Sequence, residues 1–354
     1  MGSKRVLFFI NSLTIGGAER VFVAQANELS KRGFGVHVAT MFSDNVLAPK
    51  LALPPENLHV LNIASVFDIR GVVQLWKLAR RIRPDILYST LNEANFIARI
   101  LKIFAPWLTL HTREANMADI KPLLYKLGDM ALGIFSRRIF VVSNAVGGSL
   151  VSYAPWLKSK IRVIYNGVSV PELTVRSRSA KGAFKLLAIG TLMPKKDFGV
   201  LIRAMEHLPA RYVLTLGGDG GERASLEALA QRVASSRVVF LGWVSPDKTE
   251  ALYRSHDVFV LPSKYEGCPN VVSEAQSFAL PVVAFDIAGM REFVDDGAGV
   301  LVAERSPEAL AEALRKLCEI PGLLEAKGRG GYELVKRNRE YETQMERFVS
   351  LISQ

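Results

Sequence analysis

Short apolar runs alternate with stretches of helical period along the whole chain. Residues 6–10 form the first run, followed by a glycine loop and a helical pattern over about 19–32. Further runs fall at 35–41, 85–89, 108–111, 139–143 and 162–165, with helical patterns at 71–83 and 95–104. Strands that alternate with helices of 10–15 residues predict βαβ units and parallel sheets.

The pattern breaks once. Residues 169–183 carry Pro171, Arg176, Arg178, several serines and Gly182 without apolar periodicity, and read as a linker. Alternation then restarts, with strands expected at 185–189, 212–216, 238–241, 258–261 and 282–284 and helices at 200–206 and 223–234. A chain of 354 residues suits two such domains better than one core. The expectation is therefore an α/β protein of two Rossmann-like domains, residues 1–168 and 169–338. They face each other across a cleft, with ligands at the carboxyl ends of the strands.

Composition adds three constraints. No run of eighteen apolar residues occurs, so no membrane-spanning helix is expected, and residues 1–10 read as a buried first strand rather than a leader. Two cysteines, Cys268 and Cys318, without CxxC spacing argue for a reducing cytosol and against a disulfide framework or structural zinc. The net charge of +11 calls for an anionic partner. Zinc-finger spacing, RNP-type aromatics and a basic tail are all missing, which argues against nucleic acid. Basic residues instead flank apolar ones, in 76–83 (WKLARRIR) and in 121–127 (KPLLYKL) running on to Ser136-Arg137-Arg138. Either segment fits an anionic membrane surface or an ordinary amphipathic helix on its own sheet.

Three motifs carry candidate chemistry. Gly16-Gly17 follows the first strand and opens a helix, where small residues and unpaired N–H groups favour a phosphate. Gly190-Thr191-Leu192-Met193-Pro194-Lys195-Lys196 sets two lysines just past a strand, fit to neutralise a diphosphate. In Glu266-Gly267-Cys268-Pro269-Asn270-Val271-Val272-Ser273-Glu274 the two acids are too far apart for a one-turn helical pair. Glu266 is expected on the loop and Glu274 on the following helix, as two acceptors for the hydroxyls of a sugar and a ribose.

In order and spacing these motifs resemble the GT4 family of retaining glycosyltransferases, which has the GT-B fold. Ile164-Tyr165-Asn166-Gly167-Val168, Gly218-Asp219-Gly220, Phe240-Leu241-Gly242 and Asp296-Gly297 extend the resemblance over nearly the full length. The resemblance implies a nucleotide-sugar donor, a UDP-sugar, held mainly by the second domain. Lys196 would neutralise the diphosphate, with Thr191 and Lys195 beside it, and Glu266 would bind sugar hydroxyls, helped by Gly267, Cys268, Asn270 and Val271. Glu274 would hold the ribose, Gly16 and Gly17 would meet the phosphates from the first domain, and His111 at a strand end would face the donor sugar. Arg113 is the rival for that place. A C-terminal helix, within 339–354, would cross back onto the first domain.

Three positions depart from the family pattern. Thr191 stands where an arginine is usual, Ala279 replaces a glycine before Leu280-Pro281, read as a packing difference, and Arg291 replaces a proline. No DxD triplet is present, so transfer is expected to need neither metal nor cofactor. The expected product is a hexosyl or N-acetylhexosaminyl transfer to a lipid-linked or other glycan acceptor at the cytoplasmic face of the membrane. A sugar-nucleotide epimerase or hydrolase and a non-catalytic glycan-binding membrane scaffold are the competing readings. Nothing matches the GxGxxG fingerprint of a nicotinamide dehydrogenase.

Overall fold

The computed structural model describes residues 4–173 and 182–354. Residues 174–181 of the expected linker, with Arg176 and Arg178, lie outside the described residues. The chain divides into two compact units, Met1–Asn166 with Gln344–Gln354, and Gly167–Thr343. The first crossing precedes the expected 168/169, because Val168 is tied to the second unit: its N–H donates to the Arg339 carbonyl and its carbonyl accepts from Tyr341, both at 2.9 Å.

The first unit contains β1 (Arg5–Ile10), α1 (Gly17–Lys31), β2 (Gly35–Thr40), β3 (Leu58–Val60), α2 (Ile69–Ile82), β4 (Ile86–Thr90) and α3 (Asn92–Phe104). It continues through β5 (Thr109–Glu114), α4 (Leu123–Leu132), β6 (Arg138–Val141), α5 (Asn144–Tyr153) and β7 (Ile161–Val163). The strands pair in parallel in the order β3-β2-β1-β4-β5-β6-β7. Leu7 and Phe9 pack with Leu75 and Leu78 of α2, whereas Phe8 and Ile10 pack on the other face with Phe22 of α1. A strand covered on both faces has no polar side to show, which is why β1 reads as an unbroken apolar run. Phe348 and Ile352 of the last helix, α12 (Tyr341–Ser353), join this second core beside Tyr88 and Phe140.

The second unit contains β8 (Phe184–Ile189), α6 (Phe198–Ala204), β9 (Tyr212–Gly217), α7 (Arg223–Ala234), β10 (Val238–Gly242), α8 (Pro246–Ser255) and β11 (Val258–Leu261). After them come α9 (Asn270–Ser277), β12 (Val282–Phe285), β13 (Gly299–Val302), α10 (Pro307–Glu319) and α11 (Leu323–Asn338). Its parallel sheet runs β10-β9-β8-β11-β12-β13. The order reverses at β8/β11, and such a switch point is where ligands bind in open α/β sheets.

Two expectations need correction. The strand expected to end at His111 runs on to Glu114. Its polar end is buried because Glu114 accepts from Arg99 at 3.1 Å and from Lys121 at 2.6 Å, and Lys121 also donates to Asp129 at 2.7 Å. With the Arg99–Asp129 bond these two acids and two bases form a closed group, no side chain more than 3% exposed. Burial lowers the Lys121 pKa, but Glu114 and Asp129 outweigh it and hold the ammonium above its usual value. A hydrophobic pattern cannot register a strand end buried this way.

Ala279 is the second correction. Its φ of 54° lies in the left-handed region, so the family glycine is replaced at a cost in backbone strain rather than in packing. Ala279→Gly is expected to raise stability by about 0.5–1 kcal/mol, the left-handed penalty less glycine's extra chain entropy. Urea unfolding checks this; an unchanged or lower midpoint contradicts it.

Candidate functional site

The loops after β8 and β11 meet at a charged pair. Lys196 Nζ donates to Glu266 Oε1 at 2.6 Å, and Ser263 Oγ donates to the same oxygen at 2.7 Å. The side chains are only 12% and 7% exposed, so each charge depends on the other for most of its solvation.

Glycine makes this approach possible. Gly190 N–H donates to the Gly217 carbonyl at 2.9 Å, and Leu192 N–H to that of Asp219 at 2.9 Å, which lashes the β8 loop to the β9 loop. Gly218 has φ 142°, and a Cβ there would lie 1.9 Å from the Gly190 carbonyl oxygen. No other residue fits without parting the loops. Gly289 plays the same part under the second loop, where a Cβ would sit 1.7 Å from the Glu266 carbonyl oxygen. The Lys264 N–H donates to the Lys195 carbonyl at 2.8 Å and fastens the two loops to each other.

Around the pair, Thr191 is exposed and Lys195 holds its ammonium 6.0 Å from the Tyr265 ring centre. Gly267, Cys268, Asn270 and Val271 run from Glu266 into α9, with Cys268 Sγ 3.6 Å from Asn270 Oδ1. Glu274 lies on α9, half-buried, and its Oε2 accepts from the Tyr253 hydroxyl at 2.9 Å. Burial, and then the Glu274 charge, push the Tyr253 phenol well above its usual pKa, so it stays a donor. Ser263, Tyr253 and Gly289 were not singled out from the sequence. Only Ser263, a hydroxyl three residues ahead of Glu266 in a strand-to-helix loop, carried a local signal.

Four candidates lie in the other unit. Gly16 caps α1 and Gly17 begins it, but a Cβ on Gly16 would fall 2.1 Å from Glu19 Oε2. The helix start is thus faced by its own carboxylate, which the dipole favours and which competes for the ground expected of a phosphate. His111 does not stand at the strand end where it was expected. It is mid-strand, paired with Tyr88 and Arg138, fully buried, and 5.5 Å from Phe140 between ring centres. Neither ring nitrogen meets a hydrogen-bond partner among the described residues. Arg113 stands nearer the carboxyl end of β5, buried and bonded to Asn166 Oδ1.

The two basic segments also separate. In α2, Leu75, Leu78, Ala79 and Ile82 face the core, the ordinary amphipathic arrangement. Helix α4 is inverted: it buries Asp129 in the charge group and leaves Leu123 69% and Leu127 52% exposed.

The fold and these loops define a class of two-unit, doubly wound α/β proteins with a lysine–glutamate ion pair at the switch point of the second sheet. Residues 15–171 match the family model described as Glycosyltransferase Family 4, and residues 183–319 the one described as Glycosyl transferases group 1. The D-inositol 3-phosphate glycosyltransferase of Mycolicibacterium smegmatis is 32% identical over 81% of this chain and 75% of its own. The lipopolysaccharide core biosynthesis glycosyltransferase LpsE of Rhizobium meliloti is 27% identical over 96% of both chains. The crystal structure of Anabaena Alr3699/HepE with UDP shares the fold, with a TM-score of 0.85 over 99% of each chain at 19% identity. The chain belongs to the GT4-type glycosyltransferases.

Burial, and then Arg138 and Arg137, press the His111 pKa down to about 3 from 6.5. Between those values the unfolded chain binds a proton that the folded chain refuses, so stability is full above pH 6.5 and falls as pH drops below it. His111→Leu is expected to flatten that acid slope by up to about 1.4 kcal/mol per pH unit. Urea titrations at pH 7 and pH 5 measure it; an equally steep slope in the variant rejects the assignment.

Proposed function

We propose that this protein moves a hexosyl or N-acetylhexosaminyl group, with retention, from a UDP-sugar to a lipid-linked glycan during cell-envelope glycan synthesis. The observation that carries the donor half is the Lys196–Glu266 pair. An ammonium already balanced by a carboxylate can turn to an incoming diphosphate, since for the lysine one anion replaces another, while Glu266 exchanges the ion pair for a sugar hydroxyl. Both bonds to Glu266 fall on Oε1 among the described residues, so Oε2 remains for a sugar hydroxyl. Glu274, held by Tyr253, takes the ribose.

As the anomeric C–O bond opens, negative charge gathers on the departing diphosphate and positive charge on the ring. Lys196, aided by Lys195 and by N–H groups near Gly267–Asn270, meets the former in place of a metal ion. The acceptor hydroxyl then attacks on the face the diphosphate leaves. The Anabaena HepE complexes with UDP and with UDP-glucose support uridine as the base. Lys196→Ala and Glu266→Ala are expected to lower UDP release at least 100-fold, in buffer containing EDTA, with the circular dichroism unchanged. Near-normal rates in both variants would falsify the site.

The acceptor half rests on relatives and on α4. LpsE is named for lipopolysaccharide core synthesis, and a Campylobacter jejuni relative, 25% identical over 89% of this chain, is named for transfer onto a diphospho-undecaprenol-linked sugar. The outward Leu123 and Leu127, with Lys126 between them, suit the cytoplasmic surface of an anionic bilayer. No helix among the described residues is long and apolar enough to cross one. The Leu123→Gln/Leu127→Gln double variant is expected to bind phosphatidylglycerol vesicles about tenfold more weakly, at unchanged UDP release. Equal sedimentation of the variant and the parent protein counts against this surface.

A further inference from the structure

Arg305, in the turn between β13 and α10, belongs to none of the motifs above, yet it closes a ring around the charged pair. Its Nη1 donates to the Ser263 carbonyl at 3.0 Å and its Nη2 to Asp197 Oδ2 at 2.9 Å. The guanidinium carbon lies 4.5 Å from the centre of the Phe285 ring, which fixes the plane of the fork. Asp197 follows Lys196 directly, and its φ of 52° turns the chain so that neighbouring side chains serve different partners, Glu266 and Arg305. Ser263 is bonded at both ends, with its carbonyl to Arg305 and its hydroxyl to Glu266. The circuit Arg305–Asp197–Lys196–Glu266–Ser263–Arg305 therefore joins three loops of one sheet.

We propose that Arg305 is a positioning residue for sugar transfer, holding Lys196 and Glu266 in the register that the departing diphosphate and the donor sugar require. This rests on the donor-site reading above. Arg305 touches neither Lys196 nor Glu266; it acts through Asp197 and Ser263. A lysine cannot replace it, because one ammonium on a flexible stem does not span two loops and stack on a ring as a planar fork does. Without it Asp197 keeps, among the described residues, only the Lys264 ammonium, whose Nζ is 3.9 Å away, and the tie to Ser263 is lost. Binding elsewhere on the nucleotide, at Glu274, is left intact. The loss then falls on alignment in the transition state, which lowers kcat rather than raising KM.

The test is steady-state UDP release by the full chain from the best substrate in a panel of UDP-sugars. Arg305→Ala is expected to lower kcat about 10- to 100-fold with KM within about threefold, the scale of a small misplacement of reacting groups. Arg305→Lys recovers little of it, and millimolar guanidinium restores part of the rate to Arg305→Ala but none to Lys196→Ala. Asp197→Asn, which cuts the same circuit with minimal change of volume, gives a similar loss, and the double variant with Arg305→Ala loses no more than the worse single. If Arg305→Ala and Asp197→Asn both keep the parent kcat while Lys196→Ala and Glu266→Ala are inactive, the positioning role is wrong and the donor site stands. If Lys196→Ala and Glu266→Ala are themselves active, or no UDP-sugar is turned over, both fall.

Discussion

The organisation of the second unit depends on bringing one ammonium and one carboxylate together where water reaches neither well. Lys196 and Glu266 are 2.6 Å apart at the ends of neighbouring parallel strands, and leaving either unpaired there would cost several kcal/mol. That demand accounts for features otherwise unrelated. Gly218 lets the β9 loop close on the β8 loop, Gly289 lets the β12 loop close on Glu266, and Ser263 spends its hydroxyl on the carboxylate. In the proposed function a diphosphate replaces Glu266 as the lysine's counter-charge.

The first unit uses charge differently. Arg99, Lys121, Glu114 and Asp129 are sealed and mutually neutral, so they have no charge to offer a ligand. Their effect is mechanical: they draw α4 in by its one acidic residue, with Leu123 and Leu127 left outward. A helix held to α3 by a buried ion pair, with two leucines exposed, inverts the usual arrangement of a surface helix.

Most of the fold was legible because parallel strands covered on both faces leave a continuous apolar signature, and β1, β8 and β11 were each placed to within a residue. The loops after β8 and β11 were legible because Gly, Pro and charged residues cluster where a strand gives way to a helix. Failures arose wherever a contact between distant residues overrode a local pattern. The end of β5 and the burial of His111 follow from partners on α3, α4 and β6. Arg305 lies 39 residues from Glu266 and 109 from Lys196 in the chain, so no spacing rule relates them. Ala279 looked like a packing change because a one-letter substitution does not display its φ.

The central claim is that Lys196 exchanges Glu266 for the diphosphate of a bound donor. A crystal structure of the full chain with an intact UDP-sugar measures it directly. The account predicts Lys196 Nζ within about 3 Å of a diphosphate oxygen, with Glu266 accepting from a sugar hydroxyl. A bound donor that leaves the Lys196–Glu266 bond intact and makes no contact with either residue contradicts it.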